Sequence, residues 1–101
     1  MNRALQLLSL AQRAGKVASG EFKTEETVKS GQAYLVIIAS DASDNTKKKF
    51  SNMCDFYQVP IMIYSDKEEI GHYIGKEFRA SVAVTDKGLS DKILSEVENA
   101  K

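Results

Sequence analysis

Three lysines in a row, Lys47-Lys48-Lys49, are the densest charge in the chain. Ammonium groups held together near a helix start suit phosphate oxygens, although such a run also serves simply as a solvated helix face. Other residues able to do chemistry stand singly. His72 is the sole histidine, so no histidine pair can hold a metal, and no carboxylate spacing builds a triad with it. Cys54 is the sole cysteine, which excludes an internal disulfide and a four-cysteine zinc site. It falls in an apolar stripe, where a thiol behaves as a small hydrophobe rather than a nucleophile. Asp41 follows the most apolar run and has the position of a catalytic carboxylate; bonding of its side chain to turn backbone is the simpler role. Neither a G-x-x-x-x-G-K-[ST] loop nor a G-x-G-x-x-G turn after a strand is present. Gly71 and Gly75 lie inside a helical segment and read as close packing. These residues assemble no reaction centre, and the expectation is a protein that is not an enzyme and uses no cofactor or metal.

Such residues need a scaffold, and the run Tyr34-Leu35-Val36-Ile37-Ile38-Ala39 is its centre. Six residues with no polar break, rich in β-branching, predict a strand buried on both faces. A strand of that kind requires a helical layer on each side. The first helix spans Asn2 to Ala14, with Leu5, Leu8 and Ala11 in a stripe widened by Ala4, Leu7 and Leu10; Gly15 ends it. Lys16 to Ser19 is a short strand or extended link. Ser19-Gly20 opens the second helix, which runs to about Ser30 with Glu21 at its positive end. Thr24, Thr27 and Val28 form its inner face, and Phe22 lies off that line. Ser43 caps a third helix, where Phe50, Met53, Cys54 and Tyr57 follow at i, i+3, i+4, i+7. After Pro60, Ile61 to Tyr64 is a short buried strand. Ser65-Asp66-Lys67-Glu68 is a capping box for a fourth helix reaching about Gly75. Phe78-Arg79-Ala80 is a loop, Ser81 to Thr85 a strand, and Asp86-Lys87-Gly88 turns into a last helix with Leu89, Ile93, Leu94 and Val97 inward. The alternation predicts a three-layer α/β/α sandwich around a mixed central sheet.

A chain of 101 residues has room for one domain, taken as 1–101. Zero formal charge excludes a strong nonspecific polyanion binder. The charge is uneven, however. Residues 1–50 carry eight basic against five acidic side chains, and residues 51–101 carry six against nine. A specific site on one basic face stays open. The first residues, interrupted by Gln6, Ser9, Gln12 and Arg13, lack the apolar core of a signal peptide. No stretch approaches the ~20 apolar residues of a membrane span. The expectation is a cytoplasmic protein without membrane contact, a monomer by default.

Several segments in order resemble one family. The core Gly31-x-Ala33-x-Leu35-Val36-Ile37-Ile38-Ala39-x-Asp41 is followed by Cys54 with Tyr57-Gln58-Val59-Pro60, then Ser65-x-Lys67-x-x-Ile70-Gly71, then Val82-Ala83-Val84. Together they are similar to the ribosomal protein L-seven-Ae family, whose members bind kink-turn RNA. The opening Leu8-x-Leu10-Ala11-x-Arg13-Ala14-Gly15-Lys16-Val17-x-Ser19-Gly20 and the turn Asp41-Ala42-Ser43-x-Asn45-Thr46 resemble the short bacterial members, of the YlxQ type. The resemblance covers nearly the whole chain and implies the same sandwich.

It also implies where RNA sits. In the family the start of helix two meets RNA, backbone N–H groups face phosphates, and a Gly-x-Asn-Glu-x-x-Lys motif reads sheared G·A pairs. Here Gly20 keeps its place, while Phe22, Lys23 and Glu26 stand at the Asn, Glu and Lys positions. An ammonium has no acceptor, so Lys23 cannot take the bonds a carboxylate takes from guanine amino groups. Lys23 and Glu26 can pair with each other at i, i+3. Phe22 either stacks on an unpaired base or buries against the neighbouring loop. The resemblance adds Lys16, Ser19 and Glu21 around that helix start, and Phe78, Arg79 and Ala80 in the loop before the last strand. It adds Ser43 and Lys47 where a flipped-out base is held, and Lys67 as a phosphate-binding lysine. The expected partner is structured RNA, ribosomal or otherwise kink-turn-like, with the ribosome itself as a possible partner. The alternative is a protein–protein module on the same fold that has lost kink-turn specificity. A basic patch joining Lys16, Lys23, Lys47 and Arg79 would favour RNA; an apolar patch around Phe22 would favour protein.

Overall fold

The computed structural model describes residues 2–99. Helices and strands alternate: α1 Arg3–Arg13, β1 Val17–Ser19, α2 Glu21–Lys29, β2 Leu35–Ile38, α3 Asp44–Tyr57, β3 Ile61–Ile63, α4 Lys67–Tyr73, β4 Ser81–Val84 and α5 Lys87–Asn99. The sheet order is β1-β4-β2-β3. β4 runs antiparallel to both its neighbours, and β3 is parallel to β2. The two central strands, Leu35-Val36-Ile37-Ile38 and Ser81-Val82-Ala83-Val84, are buried at every position. Each needs cover on both faces. α1, α4 and α5 pack together as one layer, and α2 with α3 as the other. This is the three-layer α/β/α sandwich with a mixed sheet that the alternation predicted.

Topology then fixes one end of the sheet. β1, β2 and β3 share a direction, and β4 opposes them. The carboxyl ends of the first three strands therefore meet the start of β4 on a single rim. α2, α3 and α4 each follow one of those three strands, so all three helices begin at that rim.

The helices hold by inward stripes at helical spacing. α1 buries Ala4, Leu5, Leu8 and Ala11, with Asn2 as its cap. Leu10, read as part of that stripe, is 46% exposed. α3 buries Phe50 and Cys54 and partly buries Met53. Tyr57 completes the spacing on paper, but it is the last helical residue, past the edge of the core, and stays exposed. α5 buries Ile93 and Ser90, with Leu89, Leu94 and Val97 packed against the core.

Three local expectations change. β3 is not a buried strand. It is an edge strand, half-covered at Ile61 and Met62 and open at Ile63, because among the described residues no further strand pairs beyond it. The cap of α4 is Asp66, one residue later than Ser65: its carboxylate accepts the Glu69 amide at 2.8 Å. Ser65 sits at φ +62° and donates its hydroxyl to the Glu69 side chain. Gly75 does not pack a helix; it lies just beyond α4 with open space around it, whereas Gly71 is tightly packed. Among the described residues no helix is long and apolar enough to cross a membrane.

Burial decides the behaviour of the lone thiol. Cys54 is 1% exposed, and burial pushes its thiol up to about 11 from an ordinary 9.0, because the thiolate is the form that loses solvation. At pH 8 the folded protein is expected to react with iodoacetamide far more slowly than the protein in denaturant, at a rate set by opening of the fold. Stoichiometric labelling of the native protein within seconds would contradict this placement.

Candidate functional site

The rim is tied together by peptide groups. Gly20 donates its amide to the Ser81 carbonyl at 2.9 Å, fixing the exit of β1 against the start of β4. Ala39 donates to the Ala80 carbonyl at 2.9 Å, fixing the exit of β2 against the same loop. Ser40 bonds the Ser65 carbonyl through both its amide, at 2.8 Å, and its hydroxyl. Asp41 accepts the Lys67 amide at 2.9 Å, and the Lys67 carbonyl accepts the Arg79 amide at 3.1 Å. Arg79 in turn donates its Nε to Ser19 Oγ at 3.3 Å and its Nη1 to the Phe78 carbonyl at 2.9 Å. Four chain segments thus meet within a chain of direct bonds. Asp41 acts here as a backbone acceptor, reaching 26 residues along the chain rather than closing its own turn.

The three helix starts differ in one respect. At α3, Ser43 Oγ accepts the Thr46 amide at 3.1 Å. At α4, Asp66 and Asp41 accept the Glu69 and Lys67 amides. At α2 the cap is Gly20, which makes no side-chain cap bond. Its backbone is at φ +94°, a conformation other residues rarely adopt, so a capping Ser or Asp is disfavoured there. Among the described residues the amides of Glu21, Phe22 and Lys23 have no acceptor at the positive end of the helix dipole.

Side chains around that opening are mixed. Phe22 is 74% exposed and Phe78 63% exposed. Burial of Phe22 against a loop is therefore overturned: its position off the inner face, where Thr24 and Val28 are buried, turns it to solvent. Lys23 and Glu26 are both exposed and do not pair. Within α2, Glu25 bonds Lys29 instead, at 2.7 Å. Ser43 uses its hydroxyl on Thr46, and Lys47 lies one turn into α3 with its amide on the Ser43 carbonyl. Lys16 stands apart. Its carbonyl bonds the Thr85 amide at the opposite end of β1, roughly 13 Å of strand from Gly20 at about 3.3 Å per residue. A single patch joining Lys16, Lys23, Lys47 and Arg79 is therefore not formed, and Ser19, Gly20, Lys67, Phe78, Arg79 and Ala80 are what the rim brings together.

Two contributors escaped the sequence. Lys49, read as one of three equivalent lysines, bridges α3 to α2: its Nζ lies 2.6 Å from Glu25 and 4.0 Å from Glu21. No spacing announces a pair this far apart in sequence. Gly71 is the other. A Cβ there would overlap the Glu77 carbonyl oxygen, and the Lys76 amide bonds the Gly71 carbonyl at 2.8 Å. The bare backbone of α4 is thus the bed on which the connection to Phe78 and Arg79 lies.

The family model described as the Ribosomal protein L7Ae/L30e/S12e/Gadd45 family matches residues 2–94. The chain belongs to this family. It is 44% identical over 89 residues to the RNA-binding protein YlxQ of Bacillus subtilis (strain 168), across 88% of this chain and 89% of that one. A solved protein of unknown function from Bacillus halodurans C shares its fold at a TM-score of 0.94 and 37% identity, over 97% of this chain and 99% of the other. The Giardia lamblia 15.5kD RNA binding protein superposes at a TM-score of 0.80 with 22% identity, over 96% and 86% of the two chains, a likeness of fold. At the helix start where the resemblance implied Gly-x-Asn-Glu-x-x-Lys, the chain has Gly20 with Phe22, Lys23 and Glu26, the last three exposed.

Two measurements probe the frame of the rim. Hydrogen bonds from Lys29 and then Lys49 hold the Glu25 carboxyl well below its ordinary 4.5, at about 2. A depressed folded-state pKa contributes stability that is present above 4.5 and lost as pH falls toward 2. Urea midpoints of the wild type and Glu25→Gln should separate modestly at neutral pH, as befits a solvent-screened pair, and converge near pH 2. Equal midpoints across the whole range would remove the bridge. Second, Gly71→Ala forces the Glu77 carbonyl away and should cost about 1–3 kcal/mol by overpacking. Faster exchange of the Arg79 amide should accompany that loss, and a variant with wild-type exchange would show that the loop does not rest on Gly71.

Proposed function

We infer that the chain is a noncatalytic RNA-binding protein whose rim seats a bent or internally looped RNA. The observation that carries this is the start of α2, where three amides with no acceptor open beside Arg79. Amide hydrogens at the positive end of a helix suit phosphate oxygens, and an Arg whose Nε is already held by Ser19 presents its remaining donors in a fixed orientation. The printed name of the Bacillus subtilis relative, an RNA-binding protein, points the same way. Lys23, Lys47 and Lys67 supply further cations from the starts of three helices.

Kink-turn-like RNA, ribosomal or otherwise, is the substrate class we assign, with contacts rebuilt around Phe22. Lys23 cannot accept from guanine amino groups, so specificity by G·A edge reading gives way to stacking. Phe22 and Phe78 are exposed rings in two of the segments that form the rim, and unpaired bases stack on such rings in RNA sites. The same exposure of Phe22 is what a protein-binding module would display as an interface anchor, so the test must distinguish the two.

In gel shifts, an RNA with a bent internal loop should bind more tightly than a perfect duplex of equal length. Arg79→Ala and Lys67→Ala should each weaken binding and lower the salt slope by about one. Phe22→Ala should weaken looped RNA by roughly 1–3 kcal/mol per stacked base while leaving duplex binding unchanged. If wild type retains no structured RNA at low salt, while Phe22→Ala abolishes capture of a protein partner, the interaction module is the correct reading.

A further inference from the structure

By its own sequence the start of α2 is a poor place for an anion. Glu21, Glu25 and Glu26 put three carboxylates into its first six residues, against the single ammonium of Lys23. Carboxylates suit the positive end of a helix, but they repel a phosphate drawn to the same end. Lys29 reaches back to Glu25 at 2.7 Å, yet it stands eight residues, roughly 12 Å of helix, beyond Glu21.

The missing counter-charge comes from α3. Lys49 Nζ lies 2.6 Å from Glu25 and 4.0 Å from Glu21, the acidic residue of the first turn. Glu21 and Glu25 are one turn apart on one face of α2, and Lys49 serves both. Of the three consecutive lysines it alone is paired among the described residues. Bonding to Glu25 raises the Lys49 pKa above its ordinary value, and Glu25 is held at about 2, so both stay ionised at neutral pH. An ammonium committed in this way is not free to hold a phosphate. What it alters is the potential that a phosphate meets at the helix start.

We propose that Lys49 is a positioning residue of the RNA seat: from α3 it neutralises Glu21 and Glu25, and so lets phosphate reach the open amides of α2, without touching RNA itself. This role rests on the RNA reading above and adds a determinant to the same site. The site then needs the charge of Lys49 rather than the bridge as such. Glu25→Gln breaks the bridge and removes a negative charge. Lys49→Met breaks it and removes a positive one. Lys49→Met combined with Glu25→Gln breaks it and keeps the net charge of the wild type.

Unit charges about 10 Å apart near a protein surface interact weakly, and salt screens them over a similar length. At low ionic strength looped RNA should bind Lys49→Met roughly two- to fivefold more weakly than wild type, and Glu25→Gln more tightly by a similar factor. The double variant should lie within about twofold of wild type, as should Lys49→Arg, which keeps the charge. These differences should shrink as salt rises. The same order is expected in titrations with inorganic sulfate at constant ionic strength, followed by the amide chemical shifts of Phe22 and Lys23. If Glu25→Gln weakens binding along with Lys49→Met, the bridge matters as structure and the proposal is overturned. A double variant as weak as Lys49→Met overturns it too, because Lys49 then touches phosphate directly. Wild-type affinity in Lys49→Met leaves Lys49 no part in the site. A protein that takes sulfate in the expected order but retains no structured RNA keeps the role of Lys49 at an anion site and overturns the RNA reading alone.

Discussion

The peptide unit at Lys67 is where three parts of the chain depend on each other. Its amide is held by the Asp41 carboxylate and its carbonyl by the Arg79 amide. Buried or half-buried backbone groups must find partners, and these find them across segments rather than within a helix or strand. The consequence is positional. The turn after β2, the start of α4 and the loop before β4 cannot shift independently, so Arg79 is placed by bonds that begin in the core strand. A loop without such bonds would hold an arginine on a flexible tether; here the Arg79 backbone is bonded to Lys67 and its Nε to Ser19.

Against that well-satisfied frame, the start of α2 is the exception. Two of the three helices opening on the rim are capped from within the protein, by Ser43 and by Asp66 with Asp41. The third has glycine at the cap and leaves its donors unmet. Exposed to water, such donors cost little, and they are worth more when an anion excludes that water. The rim is thus set apart less by accumulated positive charge than by where internal partners are withheld, and the proposed RNA site is compatible with a chain of zero formal charge.

Much of the architecture was legible because it follows from periodicity. The uninterrupted run from Leu35 to Ile38 could only be a doubly covered strand, and its neighbours had to be helices. Phe50, Met53 and Cys54 gave α3 its inner face. What failed lay at ends and edges, where periodicity is silent. Tyr57 continued a stripe past the limit of the core. Ile61 to Ile63 looked buried because apolar composition is the same for a central strand and an unprotected edge. For the site, the resemblance supplied the segments and the structure supplied their meeting. Lys16 fell outside because the three residues of β1 separate it from Gly20. Lys49 entered through a partner on another helix, which no local pattern encodes.

Gly71 deserves a final thought for what it leaves free. The path of the α4–β4 connection is dictated by backbone lying on backbone, with room for hydrogen alone at position 71. Lys76, Glu77 and Phe78 on that path are all solvent-facing. Their side chains can be exchanged without rerouting the strand of chain that carries them. The protein thereby separates the track from its passengers, and a new recognition preference can arise by successive surface replacements on a course that never moves.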